Sequence, residues 1–421
     1  MSELLAELQW RGLVAQHTDL EALAEALDDG PVTYYCGFDP TGPSLHHGHL
    51  VQVLLMRHLQ NAGHRALALV GGATGLIGDP RESGERVMQG VEIVEEWAGN
   101  LRRQLEKYLE FEGDNPAQIV NNLDWIGSMS AIELLRDVGR HFRMGTMLSK
   151  DIVSRRLNSE EGVSYTEFSY QVLQAYDFLE LYRRYGCTLE TGGNDQWGNL
   201  VGGMDLIRKV EGKPVHVLTT PIITKSDGTK FGKSEGGAIW LDPKLMSPYA
   251  FYQFWLQTAD ADVVSFLKIF TFLDREEIEA LAIQVQEAPH QRAAQKALAA
   301  EVTAFVHGRD ELEAVLAATD ALWGKGDLRA LDADTLLSAV EQLPSGDVEL
   351  GETTVVDAMV ACGLEAGRSA ARRTIAGNGL SINNEKCNDP DHIISHADVL
   401  PGGIVLLRKG RRNLAVLRTN A

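Results

Sequence analysis

Long apolar runs are missing from the chain. None of its 421 residues fall in an uninterrupted apolar stretch of the roughly 18 needed to span a bilayer, so no transmembrane helix is expected. A basic leader is also missing. The first residues, MSELLAELQW, are acidic, which argues against a secretory signal or transit peptide and for a cytoplasmic protein. Cysteine is scarce: four residues, Cys36, Cys187, Cys362 and Cys387, of which the closest pair is 25 positions apart. That spacing excludes a disulfide framework and a zinc motif. Basic residues are in deficit, 39 Lys and Arg against 59 Asp and Glu, for a net charge of −20, which speaks against a general affinity for polyanions. What is present is ordinary globular composition, 44% hydrophobic and 23% charged, in a length that suggests about three domains.

The acid is unevenly spread. From Glu352 onward nine basic residues face seven acidic ones, and the last 21 residues hold five basic groups and no acid. A separate module with a different partner is expected there. The first 240 residues alternate between strand and helix patterns. Thr18 to Glu21 reads as a capping box. Strands are expected at Val32–Phe38, Arg65–Val70, Gln118–Asn121, Cys187–Thr191 and Val215–Ile223. Helices are expected at Gly48–Asn61, Gly90–Phe111, Ser130–Phe142, Tyr165–Tyr185 and Gln196–Val210. Such alternation implies an α/β fold with a parallel, doubly wound sheet and ligands at the carboxyl ends of its strands. From Ser247 to Trp323 only helical spacing recurs. The expected organisation is an α/β domain over 1–240, a helical domain over 241–323, a linker over 324–351 and a small α+β module over 352–421.

Three segments carry unusual chemistry. The first runs from Cys36-Gly-Phe-Asp-Pro-Thr to His46-His47-Gly48-His49, between a strand and a helix. Two histidines three apart on a helix's first turn share a face, and unpaired N–H groups there favour anions. Polar capping alone is the plainer reading. The second, Thr224 to Ser234, holds Lys230 and Lys233 in a glycine-containing loop suited to a polyphosphate. It fails the P-loop rule because Asp227 stands where the first glycine is required. A solvated lysine loop is the alternative. In the third, Tyr170, Gln174 and Asp177 form a polar stripe on an otherwise apolar helix. Such a stripe needs partners, either a polar ligand or an internal network. Gly71 to Asp79 lacks the dinucleotide fingerprint. Gly192-Gly-Asn-Asp195-Gln196 follows a strand, where Asp195 could accept from ribose hydroxyls.

The combination resembles the bacterial tyrosyl-tRNA synthetases, which are class I aminoacyl-tRNA synthetases. His46 to His49 is similar to the HIGH signature and Lys230 to Ser234 to KMSKS. Gly72 to Pro80, Tyr170 to Asp177 and Gly193 to Asn199 resemble further family segments. The resemblance implies a Rossmann-like catalytic domain that includes the signature loop, a helical anticodon-side domain and a C-terminal RNA-binding domain of the alpha-L type. It implies formation of tyrosyl-adenylate from L-tyrosine and ATP, the latter with Mg2+, then transfer to tRNA(Tyr). No prosthetic group, covalent enzyme intermediate or protein metal site is implied. The family is homodimeric, with an interface around Gln118 to Phe142.

Roles follow from the same resemblance. Tyr35 and Asp177 would bond the substrate phenol. Asp79, Tyr170 and Gln174 would hold its ammonium group, and Gln196 would lie near its carboxylate. Cys36, Gly37, Asp39, Gly48, His49, Gly193, Asp195 and Lys233 would meet ATP or the adenylate. Thr41, His46, Arg86, Lys230 and Lys233 would meet the departing pyrophosphate, and His49, at the ribose, is counted with them as catalytic. Arg208 and Lys209, with Lys150, would meet the tRNA acceptor arm, and Arg368, Arg372 and Arg373 would meet RNA through a basic helix face. Position 47 is His where an apolar residue is usual, and Phe231-Gly232 replaces Met-Ser. The lysine often found before Arg86 is missing, with Arg81 as a possible substitute. A tryptophanyl enzyme and an inactive synthetase-derived RNA-binding protein are the alternatives.

Overall fold

The alternating pattern of the first 240 residues folds as its periodicity requires. In the computed structural model β1 is Thr33–Phe38, α1 His47–Asn61, β2 Arg65–Val70, α2 Val91–Tyr108 and β3 Gln118–Asn121. They are followed by α3 Tyr165–Tyr185, β4 Cys187–Gly193, α4 Trp197–Glu211 and β5 His216–Thr220. The structure describes all residues except 1, 82, 83, 85, 86, 161, 230, 233–237, 411, 412 and 421, and only the backbone of 151. The chain divides into two compact units, Met1–Leu245 with Thr258–Glu301, and Met246–Gln257 with Val302–Ala421.

In the first unit the five strands run parallel in the order β3-β2-β1-β4-β5. The winding direction reverses between β1 and β4, which opens a crevice at their carboxyl ends. Both faces of the sheet are covered, so β2 reads as a nearly continuous apolar run rather than an alternating one. Leu50, Val53, Leu54 and Leu55 of α1 are fully buried. Tyr35, Phe178, Leu181, Leu206 and Ile207 belong to one core cluster beneath the crevice.

Two local expectations are corrected. The helix Leu20–Asp28 is capped by Asp19, whose carboxylate accepts from the N–H groups of Glu21 and Ala22. Thr18 is instead joined to Val217 of β5. The segment 130–142 opens on a Ser130/Glu133 capping box but widens into a π turn at Leu134–Val138.

The second unit builds a sheet in the order β6-β10-β9-β7-β8 from β6 Ser345–Val348, β7 Leu380–Ile382, β8 Glu385–Lys386, β9 Ile404–Lys409 and β10 Asn413–Thr419. Its helices α5 Val355–Ala361 and α6 Arg368–Ala376 pack Val355, Met359, Ala371 and Ile375 with Val405 and Leu417 of the sheet. The expected linker, 324–351, is part of this unit. Its helix Ala333–Val340 buries Leu336 and Val340 against Leu406 and Val416, and β6 pairs parallel with β10. Turn residues at Leu343 to Asp347 marked a strand entry, not a boundary. The helices of 241–323 are shared between the two units. Asp260–Phe270 stays with the first unit, where Phe266 and Phe270 pack on Phe231. Arg309–Leu322 lends Ala318, Ala321 and Leu322 to the core of the second.

Candidate active site

The crevice between β1 and β4 opens into a cavity of about 1090 Å³. Its mouth is built where β1 ends and α1 begins. His46 is the N-cap of α1: its Nδ1 accepts from Gly48 N–H at 3.1 Å, and its own N–H donates to His49 Nδ1 at 3.2 Å. The two rings stack with centroids 4.0 Å apart. With both Nδ1 atoms accepting, both neutral rings carry their proton on Nε2. Burial holds His46 down at about 4 and His49 well below the usual histidine range, with the neighbouring imidazoles adding to the effect. The mouth therefore offers neutral N–H donors beside the positive end of a helix, a combination suited to phosphate oxygens.

His47 faces another way. Its Nε2 donates to the carbonyl of Phe231 at 3.0 Å, and its ring meets Phe231 edge-on. Gly232 has φ +82°, and a Cβ there would lie 2.0 Å from the imidazole. The His47 departure and the Phe231-Gly232 pair thus fit each other sterically. Burial lowers the His47 pKa.

The floor is made by α3, β1 and β4. Asp177 is 1% exposed, and each carboxylate oxygen has a donor: Trp125 Nε1 at 2.7 Å and Asn122 Nδ2 at 3.0 Å. Burial nevertheless raises its pKa to about 8. Tyr170 donates its hydroxyl to Asp39 at 2.7 Å, and the other Asp39 oxygen accepts from Thr74 at 2.7 Å. A Cβ on Gly71 would lie 1.9 Å from that carboxylate, so glycine is required for Asp39 to take this place. Tyr35 is 1% exposed and sits opposite Glu190 in the β1–β4 register. Gln174 Nε2 donates to Glu190 Oε1 at 3.3 Å.

A third side comes from the turn after β4. Asp79 accepts from Gln196 Nε2 at 3.0 Å and Asn199 Nδ2 at 3.3 Å, and Lys150 Nζ donates to Asn199 at 3.2 Å. Burial pulls the Lys150 ammonium down to about 8 despite Asp79 and Glu190. The segment after Asp79 is gripped by Arg156, which is 2% exposed. It donates to the carbonyls of Arg81 and Gly84, both at 2.7 Å, and to Glu167 at 3.1 Å.

The structure brings most of the expected residues to this one cavity. Tyr35, Cys36, Gly37, Asp39 and Thr41 reach it from β1 and the following loop. His46, Gly48 and His49 come from α1, and Tyr170, Gln174 and Asp177 from α3. Asp79, Gly193, Asp195 and Gln196 complete the set, and Arg81 lines it as well. Burial raises the Cys36 thiol to about 12, so it is a small apolar wall group. Arg86, Lys230 and Lys233 lie outside the described residues. Lys150, expected at the tRNA acceptor arm, is tied instead to Asn199 beside Asp79. Arg208 and Lys209 are at the far end of α4, both paired with Asp205.

Arg368 and Arg372 lie on the exposed face of α6, paired with Asp357 and Asp391, and Arg373 is exposed beside them. Sequence reasoning missed Glu190, Asn122 and Trp125. Glu190 carried a signal: an acidic residue inside a strand buried on both faces needs a reason.

Comparison with known proteins bears on the whole chain. The family model described as tRNA synthetases class I (W and Y) matches residues 27–324. The Tyrosine--tRNA ligase SYY-like C-terminal domain matches residues 336–417. The chain is 56% identical over 419 residues to a tyrosine–tRNA ligase of Streptomyces coelicolor, covering 99% of each. It is 57% identical over 410 residues to one of Leifsonia xyli, covering 97% of this chain and 92% of the relative. Among solved structures, a C-terminally truncated mitochondrial tyrosyl-tRNA synthetase of Aspergillus nidulans matches with TM-score 0.68 at 30% identity. It covers 74% of this chain and 92% of that one.

Proposed function

The chain belongs to the class I tRNA synthetases for tryptophan and tyrosine, and within them to the tyrosine–tRNA ligases, and from that premise we propose how its cavity performs the reaction. A carboxylate oxygen of tyrosine attacks the α-phosphorus of ATP, the bond to the β-phosphate oxygen breaks, and pyrophosphate leaves. A ribose hydroxyl of the tRNA terminus then attacks the acyl carbon of the adenylate, loses its proton and releases AMP. No enzyme nucleophile is needed. Rate comes from placing two reactants and stabilising charge on the phosphates.

The observation that carries this reading is one cavity with two chemically distinct ends. Neutral imidazoles at a helix N-terminus suit the triphosphate, and a buried tyrosine–carboxyl floor suits a phenol. Asp177 has both oxygens anchored by donors yet keeps lone pairs for a substrate hydroxyl. Asp79, Tyr170 and Gln174 lie between, at the height of an ammonium group, and Gln196 lies beside Asp79 near the carboxylate. Asp195 and Gly193 border the ribose, Gly48 the adenine, and Cys36 and Gly37 the wall between them. Thr41, His46 and the signature residues Lys230, Lys233 and Arg86 take the pyrophosphate. Mg2+ arrives with the triphosphate, whose oxygens supply much of its coordination. Among the described residues no group of three or more ligating side chains stands ready to hold an ion alone. The same floor favours tyrosine over tryptophan, because an indole offers a donor but no acceptor to Tyr35.

Amino-acid-dependent pyrophosphate exchange with tyrosine, tryptophan and phenylalanine tests the reading. Tyrosine alone should support rapid exchange; equal rates with tryptophan would overturn it. RNA binding is assigned to the basic face of α6 in the second unit. No described helix is long and apolar enough to cross a membrane, and the site of action is the cytoplasm, where tRNA is charged. A homodimer is supported by the exposed Ile132, Leu135 and Met144 around the π turn, 72%, 59% and 59% exposed, an apolar patch that a second copy would cover. A monomeric mass in solution would exclude it.

A further inference from the structure

Glu190 has no role in the scheme above, yet it lines the cavity and is 1% exposed. Four polar atoms of good hydrogen-bonding capacity meet there. Gln174 Nε2 reaches Glu190 Oε1. Tyr35 Oη and Glu190 Oε2 are both buried without a hydrogen-bond partner of good geometry, although each acts on the other through charge and as a hydrogen-bonding neighbour. Asp177 adds its own charge to both. A buried phenol and a buried carboxyl left facing each other are costly unless a proton is shared between them.

Two buried carboxyls, one of which feels the charge of the other, do not both ionise readily. The hydrogen bonds decide which one does. Asp177 receives an N–H on each oxygen, which stabilises its charged form. Glu190 receives one longer amide N–H, at 3.3 Å on Oε1, and beyond it only the Tyr35 hydroxyl could support its charge. The other titratable groups around Glu190 are the Lys150 ammonium, which favours its charge, and the Cys36 and Cys187 thiols, which burial keeps protonated.

We propose that Glu190 is a positioning residue that works as a neutral acid, donating its Oε2–H to Tyr35 Oη so that the Tyr35 hydroxyl must donate to the substrate phenol, whose own proton then goes to Asp177. This rests on the assignment of Tyr35 and Asp177 to the phenol. The chain of donors runs in one direction: Glu190 to Tyr35, Tyr35 to substrate, substrate to Asp177. The two phenol oxygens in its middle both receive and give, Glu190 Oε2 only gives, and the Asp177 carboxylate only receives. If Glu190 were ionised, its carboxylate would draw the Tyr35 proton away from the cavity. The substrate phenol would lose its donor. A substrate without the hydroxyl would leave the Tyr35 O–H without an acceptor and an Asp177 lone pair without its donor, so Glu190 sharpens selection without touching the substrate.

The test is tyrosine- and phenylalanine-dependent pyrophosphate exchange by the full chain, with kcat and KM measured from about pH 6.5 to about pH 9. Glu190→Leu should lower kcat/KM for tyrosine about tenfold, chiefly through KM, with little change for phenylalanine. Glu190→Gln, which donates as the neutral acid does and cannot ionise, should restore most of the loss. The wild-type KM for tyrosine should rise as pH passes about 8, more steeply than that of Glu190→Gln. Superimposable KM–pH curves for wild type and Glu190→Gln would overturn the proposal, even if Glu190→Leu proved too unstable to assay. A wild-type chain that fails to exchange with tyrosine at all would instead overturn the assignment of the floor.

Discussion

At the mouth of the cavity three histidines are kept neutral, and at its floor burial raises the pKa of two carboxyls, of which Glu190 is the one that keeps its proton. Burial is the first cause in both places. It disfavours whichever form is charged, so it pulls an imidazole down and pushes a carboxyl up. The consequences differ. A neutral imidazole with Nδ1 engaged remains a donor, ready for negative charge that develops on a phosphate. A protonated carboxyl becomes a donor where it would otherwise only accept. One desolvated cavity thus supplies donors at both ends, from residue types of opposite formal charge.

The comparison breaks most visibly at the mouth. His46→Ala should lower the rate of tyrosyl-adenylate formation by roughly 10²–10³, read by single-turnover kinetics, with little change in KM for tyrosine. A parallel rise in that KM would mean that mouth and floor are not separable. At the floor, Asp177→Ala should reduce the preference for tyrosine over phenylalanine by about a hundredfold. A site built around a hydroxyl rejects the analogue that lacks it, a principle for which tyrosyl enzymes are themselves the standard illustration. KM for ATP should hardly move. An unchanged preference would take the phenol away from Asp177.

The second unit gives a smaller effect and a contrast in kind. Arg373→Ala should weaken tRNA binding severalfold and lower the salt slope by about one, while pyrophosphate exchange is unaffected. An unchanged slope would remove Arg373 from the RNA face. Arg368 and Arg372 already have acidic partners, and exposed pairs of that sort contribute little to stability. They remain available to a polyanion that outcompetes Asp357 and Asp391. The net charge of −20 therefore says little about RNA, because a local basic face is enough to hold a polyanion.

The difference between mouth and floor also explains what could be read from sequence. The mouth is a local object: His46, Gly48 and His49 lie within four positions and cap one helix, so spacing alone exposes them. The stripe Tyr170, Gln174 and Asp177 is local to one helix turn pattern. Glu190 and Tyr35 meet only because β1 and β4 are neighbours in the sheet, which a separation of 155 positions conceals. Asn122 and Trp125 reach Asp177 from after β3 in the same way. The strand within the expected linker is concealed for a related reason. The turn-rich residues at 343–347 owe their strand to β10, some 70 positions later, and no local pattern encodes that pairing.

The smallest expected effect separates the two ends by pH alone. Unfolded, the histidines titrate near 6.5, whereas in the fold His46 titrates near 4. The unfolded chain binds the proton first, so this contribution to stability is complete above about 6.5 and is lost as pH falls toward 4. The floor has the opposite sign. Unfolded, Glu190 titrates near 4.5, whereas burial in the fold raises it to about 8. Its contribution is complete below about 4 and is lost as pH rises toward 8. Between about 6.5 and 8 only the floor is changing, so Tm should decline with rising pH in that window. Glu190→Gln should flatten the decline by on the order of 2 °C, and His46→Asn should leave it intact while flattening the acid side. Thermal melts across the two windows read this directly. If His46→Asn altered the alkaline window instead, the mouth and floor would be titrating as one coupled group rather than as two ends of the same cavity.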